Sequence, residues 1–447
     1  MLLLAAPVAL TQLAQILLGF TDTVMAGRLG PDAVASIALG NATFFVFVIF
    51  GIGAMNGVGP MVSQAFGAGD TIGVGRSVRQ GFWLGLFISI PIVLFLQYGA
   101  GPFLYWIGQD PDLVVLSERY LYAVSWGVPP FLWYIAERSF AEGVSQPLPA
   151  LIIAIAGIGV NIIANTALMF GRFGFPEMGV VGTGWASAVV YWVMFVSLGV
   201  YIHFSRRTRE YDPFKHVRKP DLLYLKELTR IGWPIGVSFF LEASLFMATA
   251  MMMGLVSKNA LAAHQVAIQC AAATFMIPLG IGLATAVRVG QATGRKDPAG
   301  AARAGYTGMA LALCFMFVTA IMFWTMPRPI VTLFFDPSID ENVPVIEMAI
   351  TMLGIAAVFQ LFDGLQVSAG GALRGLKDTR VPMVIGLLSY WGCGMTTGII
   401  LAFVLDLGAV GLWWGLVIGL LVASITLTLR FYRLSERAGR HRSAEMA

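Results

Sequence analysis

Three carboxylic acids stand inside long apolar stretches: Asp22 in GFTDTVMAGRLG at 19–30, Glu242 in FLEA and Asp363 in FQLFDGLQV. An acid in the middle of hydrocarbon costs a few kcal/mol, so it must line a wet cavity, find a partner or keep its proton. The chemistry open to such groups is narrow. A single acid can take and release a proton or attract a cationic solute. Two acids close together can hold a hard monovalent cation such as sodium, or share one proton, and they repel each other when empty. Glu242 and Asp363 are read as such a pair, and Asp22 as a separate acid able to switch between protonated and charged forms. Thr21 and Thr23 offer it neighbouring hydroxyls, whereas Arg28 lies out of phase on the helix. Asn161 and Asn165 in NIIANTALMFG are spaced i,i+4, as are Gln265 and Gln269 beside His264, so each pair shares a helix face. Both pairs are candidates to line a cavity or to bond between helices. Glu137 is expected near a helix end, where it reaches water or Arg138. No Lys or Arg is expected in the deeper parts of the apolar stretches, which leaves the three acids without an internal base.

The elements that must position these groups follow from composition. Of 447 residues, 58% are hydrophobic and 12% charged, with a mean hydropathy of +0.80. Soluble domains carry roughly 25% charged residues, so this chain cannot cover a large core with a charged surface. Apolar stretches long enough to cross about 30 Å of hydrocarbon recur along its length. The expectation is an all-α polytopic membrane protein with spans near 2–27, 34–58, 77–98, 120–140, 148–170, 181–204, 231–255, 261–287, 303–326, 345–370, 382–405 and 409–431. The opening MLLLAAPVALTQLAQILLGF lacks a basic n-region and reads as the first span rather than a signal peptide. With twelve spans, 23 of the 28 Lys and Arg residues fall on the side that holds both termini. Basic residues collect in the cytoplasm, so both termini and the polar stretch 205–230 are expected there, in a bacterial inner (plasma) membrane. The same bias explains the net charge of +4 without a nucleic-acid partner. The basic run at 205–230 reads either as a linker retained by its charge or as a lipid or nucleic-acid patch. Cys270, Cys314 and Cys393 have no CxxC spacing and read as small buried hydrophobes. No nucleophile–base arrangement or metal motif points to an enzyme or a cofactor.

The chain also repeats itself. QAFGAGD at 64–70 matches QATGRKD at 291–297, and Pro7 matches Pro234, both at an offset of 227. GVSQP at 143–147 matches GLKDT at 375–379, and GVVGTGW at 179–185 matches GAVGLWW at 408–414. Six spans per half is an even number, so the halves enter the membrane in the same orientation and their axis runs along the membrane normal. The expected organisation is a six-helix bundle over 1–204, a cytoplasmic linker over 205–230, a second bundle over 231–432 and a cytoplasmic tail over 433–447. Two bundles around a cleft suit a carrier that works by alternating access and functions as a monomer. Across the repeat Glu242 falls opposite Gln15, Asp22 opposite Thr249, and Asp363 opposite Phe131. Gly51, Gly53, Gly57 and Gly59 are expected to let helix 2 approach a neighbour closely. The methionines 247 and 251–253 are soft enough to line an adaptable pocket.

The motifs GFTDTVMAGRLG, QAFGAGD, ALAAHQVAIQ at 260–269 and GGALRGLKDTRVP at 370–382 resemble the multidrug and toxic compound extrusion (MATE) family, in its NorM-like branch. The resemblance covers essentially the whole chain. It implies antiport of bulky cationic or zwitterionic amphiphilic drugs and dyes against sodium ions or protons, within membrane lipid. It also implies that Asp22, Glu242 and Asp363 are the family's acids of helices 1, 7 and 10, with Asn161 and Asn165 matching its helix 5 asparagines. Members of the DinF-like branch generally lack the helix 7 acid. Some relatives place a Tyr one turn before the helix 10 acid, where this chain has Phe359, which puts a preference for sodium in doubt. A flippase for a lipid-linked envelope precursor shares the broader fold and is the alternative. It needs cavity cations for a pyrophosphate, and acids without Lys or Arg argue against it.

Overall fold

The computed structural model describes residues 1–215, 217 and 219–446, with side chains described as far as Ala438. His216, Arg218 and Ala447, which fall in the expected linker and tail, lie outside the described residues, as do the side chains of Arg440 and Arg442. The described chain is helical throughout, without strands. In the first half, α1 spans Leu2–Ala26, α2 Pro31–Met55, α3 Val58–Gly67, α4 Thr71–Leu94, α5 Ala100–Trp106, α6 Pro111–Ser125, α7 Val128–Gly143, α8 Leu148–Leu168 and α9 Val180–Phe204. In the second, α10 spans Leu222–Val256, α11 Lys258–Gly294, α12 Pro298–Thr325, α13 Pro327–Val331, α14 Val343–Gly375, α15 Arg380–Gly386, α16 Thr396–Ile399 and α17 Gly408–Met446.

Among the described residues, eleven helical segments are long and apolar enough to cross a bilayer. The fourth expected span is the exception, because it is broken into α6 and α7, of 15 and 16 residues. The break falls at Trp126–Gly127, just before Pro129 and Pro130. These two residues have no N–H to continue a helix and fit its first turn instead. Counting α6 and α7 together gives twelve crossings. Exposed apolar side chains such as Ile152, Phe317 and Val318 are the lipid-facing surface of such helices. Two of the cysteines join that surface rather than a core, Cys314 and Cys393 being exposed, whereas the half-buried Cys270 packs against the core of the second unit.

The repeat is visible in the backbone. Gly69 and Lys296, 227 apart, both take left-handed conformations, with φ +73° and +54°. The next residue in each case, Asp70 or Asp297, caps the following helix by accepting from the N–H of Gly73 (2.8 Å) or Gly300 (3.0 Å). Ser145 and Lys377 share φ +60° and close the same turn, with Gln146 N–H donating to the Ala141 carbonyl and Asp378 N–H to the Leu373 carbonyl. Gly179 and Gly408 open α9 and α17 at φ +54° and +52°. Each of these matched sequence pieces therefore encodes a helix boundary.

Contacts divide the chain into two compact units, Leu10–Val237 and the chain from Ser238 onward together with Met1–Ala9. The division runs through α1 and α10, shortly after Pro7 and Pro234. In the first unit two glycines of the α2–α3 region meet two of α10. A Cβ on Gly53 would lie 2.7 Å from Gly236 Cα, and one on Gly57 would lie 2.8 Å from Gly232 Cα. The segment after α9 packs onto the same unit. Tyr211 is buried between the rings of Phe66 and Phe140, and Phe214 stacks on Phe82. Burial, together with the hydrogen bond and charge of Glu210, raises the Tyr211 phenol above its usual range, so the ring packs neutral. Arg79 and Trp83 of α4 donate to the carbonyls of Asp212 (3.1 Å) and Val217 (2.8 Å). In the second unit α11 and α14 form the centre, against α12 and α17. Phe323, Phe359, Trp413 and Leu353 fill its core.

Candidate functional site

Asp22 is buried in α1 and bonded by three donors from other helices. Asn161 Nδ2 donates to its Oδ1 at 2.9 Å, and Asn165 Nδ2 donates to the same oxygen at 2.7 Å. Ser187 Oγ of α9 donates to Oδ2 at 2.9 Å. The two asparagines also bond each other at 3.2 Å. The i,i+4 spacing on α8 is what brings both amides to one carboxylate. Thr21 and Thr23 take no part. Their hydroxyls donate back to the carbonyls of Leu17 and Gly19, and the expectation that they serve Asp22 is corrected. Tyr120 and Tyr191 lie near enough to feel the charge of Asp22, and the Tyr120 hydroxyl donates to Asn41 Oδ1 at 2.6 Å.

The second unit holds the other two acids. Asp363 of α14 is buried, and among the described residues its Oδ1 has no hydrogen-bond partner. Glu242 of α10 is half-buried, and the charges of Glu242 and Asp363 act on each other. Two groups join them that sequence reasoning did not place there. Arg374, in the last turn of α14, interacts with Glu242, and its guanidinium lies over the Phe239 ring at 5.5 Å. Tyr390 feels both acids and accepts a hydrogen bond from Gln366 Nε2 at 2.5 Å. Phe359, one turn before Asp363, is core, packed edge-on against Phe246 and Trp413. Thr274 of α11 donates to Gln360 Oε1 of α14 at 3.2 Å, while Gln265 and Gln269 of α11 are exposed. His264 is buried against Trp413, 5.7 Å between ring centroids. Met253 is buried, and Met247 and Met251 are exposed.

A buried base is present after all. Arg138 of α7 is enclosed, 3.5 Å from Glu142, and its NH1 donates to Gln12 at 2.7 Å and Gln15 at 3.2 Å. Arg138 lies near the end of the span expected at 120–140 and Arg374 beyond that at 345–370; what changes is that Glu242 has a base acting on it, Arg374. Burying a charge is tolerable only when it is paired and hydrogen-bonded, and Glu142 with the two glutamines meets that demand. Glu137 differs from its expected role as well. It is fully buried, neither oxygen has a partner, and it reaches neither water nor Arg138.

Buried acids and amides among membrane-crossing helices, in a chain whose halves repeat, belong here to an integral-membrane transporter and not an enzyme, as the family match shows. The MatE family model matches residues 7–167 and again 234–400, which begin 227 residues apart, and the chain belongs to the MATE family in its NorM-like branch. It is 40% identical over 429 residues to a Brucella suis protein named "Probable multidrug resistance protein NorM", covering 96% of this chain and 91% of that one. A protein of the same name from Mesorhizobium japonicum is 39% identical, with 97% and 93% covered. The fold is similar to that of the crystal structure of a eukaryotic MATE transporter, with a TM-score of 0.86 at 22% identity over 98% of this chain and 97% of that one.

Proposed function

We propose that this protein exports cationic or zwitterionic amphiphilic organic compounds in exchange for sodium ions or protons, by alternating access, from a bacterial inner membrane with both termini in the cytoplasm. The observation that carries the reading is that buried acids occur in both repeat units in different chemical settings. Asp22 is saturated with donors, whereas Glu242 and Asp363 act on each other and leave one oxygen open. The paired acids are assigned the coupling ion and Asp22 the cargo. Tyr390, which feels the charge of both acids, is assigned as the phenolic group of this site in place of the hydroxyl missing at Phe359. The relatives named for multidrug resistance support drugs as cargo.

The geometry suggests how Asp22 works. The Asn161 and Asn165 amide N–H groups can only donate, so they hold Oδ1 as an acceptor. The Ser187 hydroxyl can donate or accept. A proton therefore goes to Oδ2, with Ser187 turning from donor to acceptor. Charged Asp22 attracts a cation, and the protonated form releases it. The flippase alternative is disfavoured because, among the described residues, the enclosed Arg138 sits with Glu142 and the half-buried Arg374 is acted on by Glu242. Expression in a pump-deficient bacterial host tests the reading. Accumulation of ethidium should fall several-fold below the vector control, and unchanged accumulation at good membrane expression would refute export.

A further inference from the structure

Arg76, Arg79 and Lys219 converge on an open cavity of about 580 Å³ where α4 and α10 begin. Among the described residues the only carboxylate lining it is that of Asp221, whose Oδ1 accepts from the backbone N–H groups of Leu223 (3.2 Å) and Tyr224 (3.3 Å). The Asp221 N–H in turn donates to Gln80 Oε1 at 3.1 Å, which ties the two walls together. Arg79 NH1 donates to the Asp212 carbonyl, and Arg76 rests over the Tyr224 ring at 5.7 Å. Among the described residues the cavity lining thus holds three cations and one acid, with the charges of Asp212 and Asp221 both acting on Arg79. Its outer wall is apolar: Leu222 and Leu223, the first residues of α10, are 74% and 81% exposed. Both walls stand at the starts of α4 and α10, two helices long and apolar enough to cross a bilayer, so cations and leucines meet on its flank.

We propose that this cavity binds the phosphate-bearing headgroup of an anionic phospholipid, with Leu222 and Leu223 against its acyl chains. The chemistry fits on three counts. Guanidinium forks match phosphate oxygens and a lysine adds a point charge. The volume suits a headgroup. Basic pockets between spans at the cytoplasmic face select anionic lipids, and this is the face they occupy under the orientation proposed above. The site is separate from the buried acids and joins the segment after α9 to α4, so an occupied cavity fastens that segment to the first unit.

Native mass spectrometry of the full-length protein, delipidated in detergent, tests this with phosphatidylglycerol, phosphatidylcholine of the same chains, and inorganic phosphate. Wild type should bind phosphatidylglycerol at least tenfold more tightly than phosphatidylcholine, a deliberately round order-of-magnitude expectation. A cation near an anionic surface contributes about fivefold in affinity, so Arg76→Gln with Lys219→Gln should weaken phosphatidylglycerol roughly 25-fold. Lys219 is exposed, so the single Lys219→Gln variant, with Lys219→Arg restoring binding, serves if the double variant misfolds. Displacement of phosphatidylglycerol by excess phosphate supports recognition through the phosphate group. Tight binding of inorganic phosphate without any lipid preference would assign the cavity to a soluble anion and overturn the lipid. Equal phosphatidylglycerol binding by wild type and a folded variant would overturn the site altogether.

Discussion

At the scale of single residues, the decisive feature is the asymmetry of the Asp22 oxygens. If Ser187 is the group that reverses on protonation, Ser187→Ala should shift the pH profile of cargo release while leaving drug affinity at alkaline pH nearly unchanged. Asp22→Asn should abolish the pH dependence and weaken transport at least tenfold, an order-of-magnitude figure for losing a charged hydrogen-bonding partner. Release of a bound fluorescent cation from purified protein across mildly acidic to alkaline pH measures both. Superimposable profiles for wild type and Asp22→Asn would leave Asp22 a structural residue. Arg138 permits a stability test. Arg138→Gln strands Glu142 in the interior and should cost about 3–5 kcal/mol, seen as a lower melting temperature. Arg138→Gln with Glu142→Gln should recover much of it, and no recovery would mean that the pair is not the source. The acids were legible in the sequence because a carboxylate in an apolar run is costly wherever it lies. Ser187 and Tyr390 were not, since such residues are ordinary in spans and only packing assigns their partners. Arg138 lies seven residues before the left-handed turn at Ser145 and reads as a helix end. Its burial depends on Gln12 and Gln15, far away in sequence.

At the scale of elements, the α2–α10 crossing and the α6–α7 break carry the most information. Gly53 and Gly57 face Gly232 and Gly236 so closely that a side chain there meets backbone, which cannot yield as a flexible side chain would. Gly53→Ala should cost about 1–3 kcal/mol, the usual range for overpacking, and Gly53→Val more. Alanine at Gly59, where the nearest atom is 4.0 Å from an added Cβ, should be close to neutral. Similar melting temperatures for Gly53→Ala and Gly59→Ala would contradict the close approach. The run of glycines pointed to such a contact in the sequence, but the identity of the partner helix did not follow from it. The interruption of the fourth span was encoded by Gly127 and the two prolines after it, and was hidden by the apolar residues on both sides. The segment 205–221 read as a tether because it is charged, yet Tyr211, Phe214 and Val217 anchor it. Composition averages over residues, whereas docking needs only two or three of them.

At the scale of the whole molecule, the repeat was the most legible property. Matched pieces at nearly constant offsets proved to be matched turns, because left-handed residues and caps restrict sequence more tightly than lipid-facing helix surfaces do. The basic bias makes an independent prediction about orientation. A cysteine introduced as Ser205→Cys should resist an impermeant thiol reagent in intact cells and react after the membrane is opened; strong labelling of intact cells would reverse the topology. The central claim is that Glu242 and Asp363 carry the coupling ion while Asp22 governs the cargo. The most direct test is ethidium transport in proteoliposomes under separately imposed sodium and proton gradients, for wild type, Glu242→Gln and Asp363→Asn. The account predicts that one gradient drives wild-type transport and that both variants lose the gradient-driven component while still binding ethidium. Undiminished gradient-driven transport in both variants would contradict it.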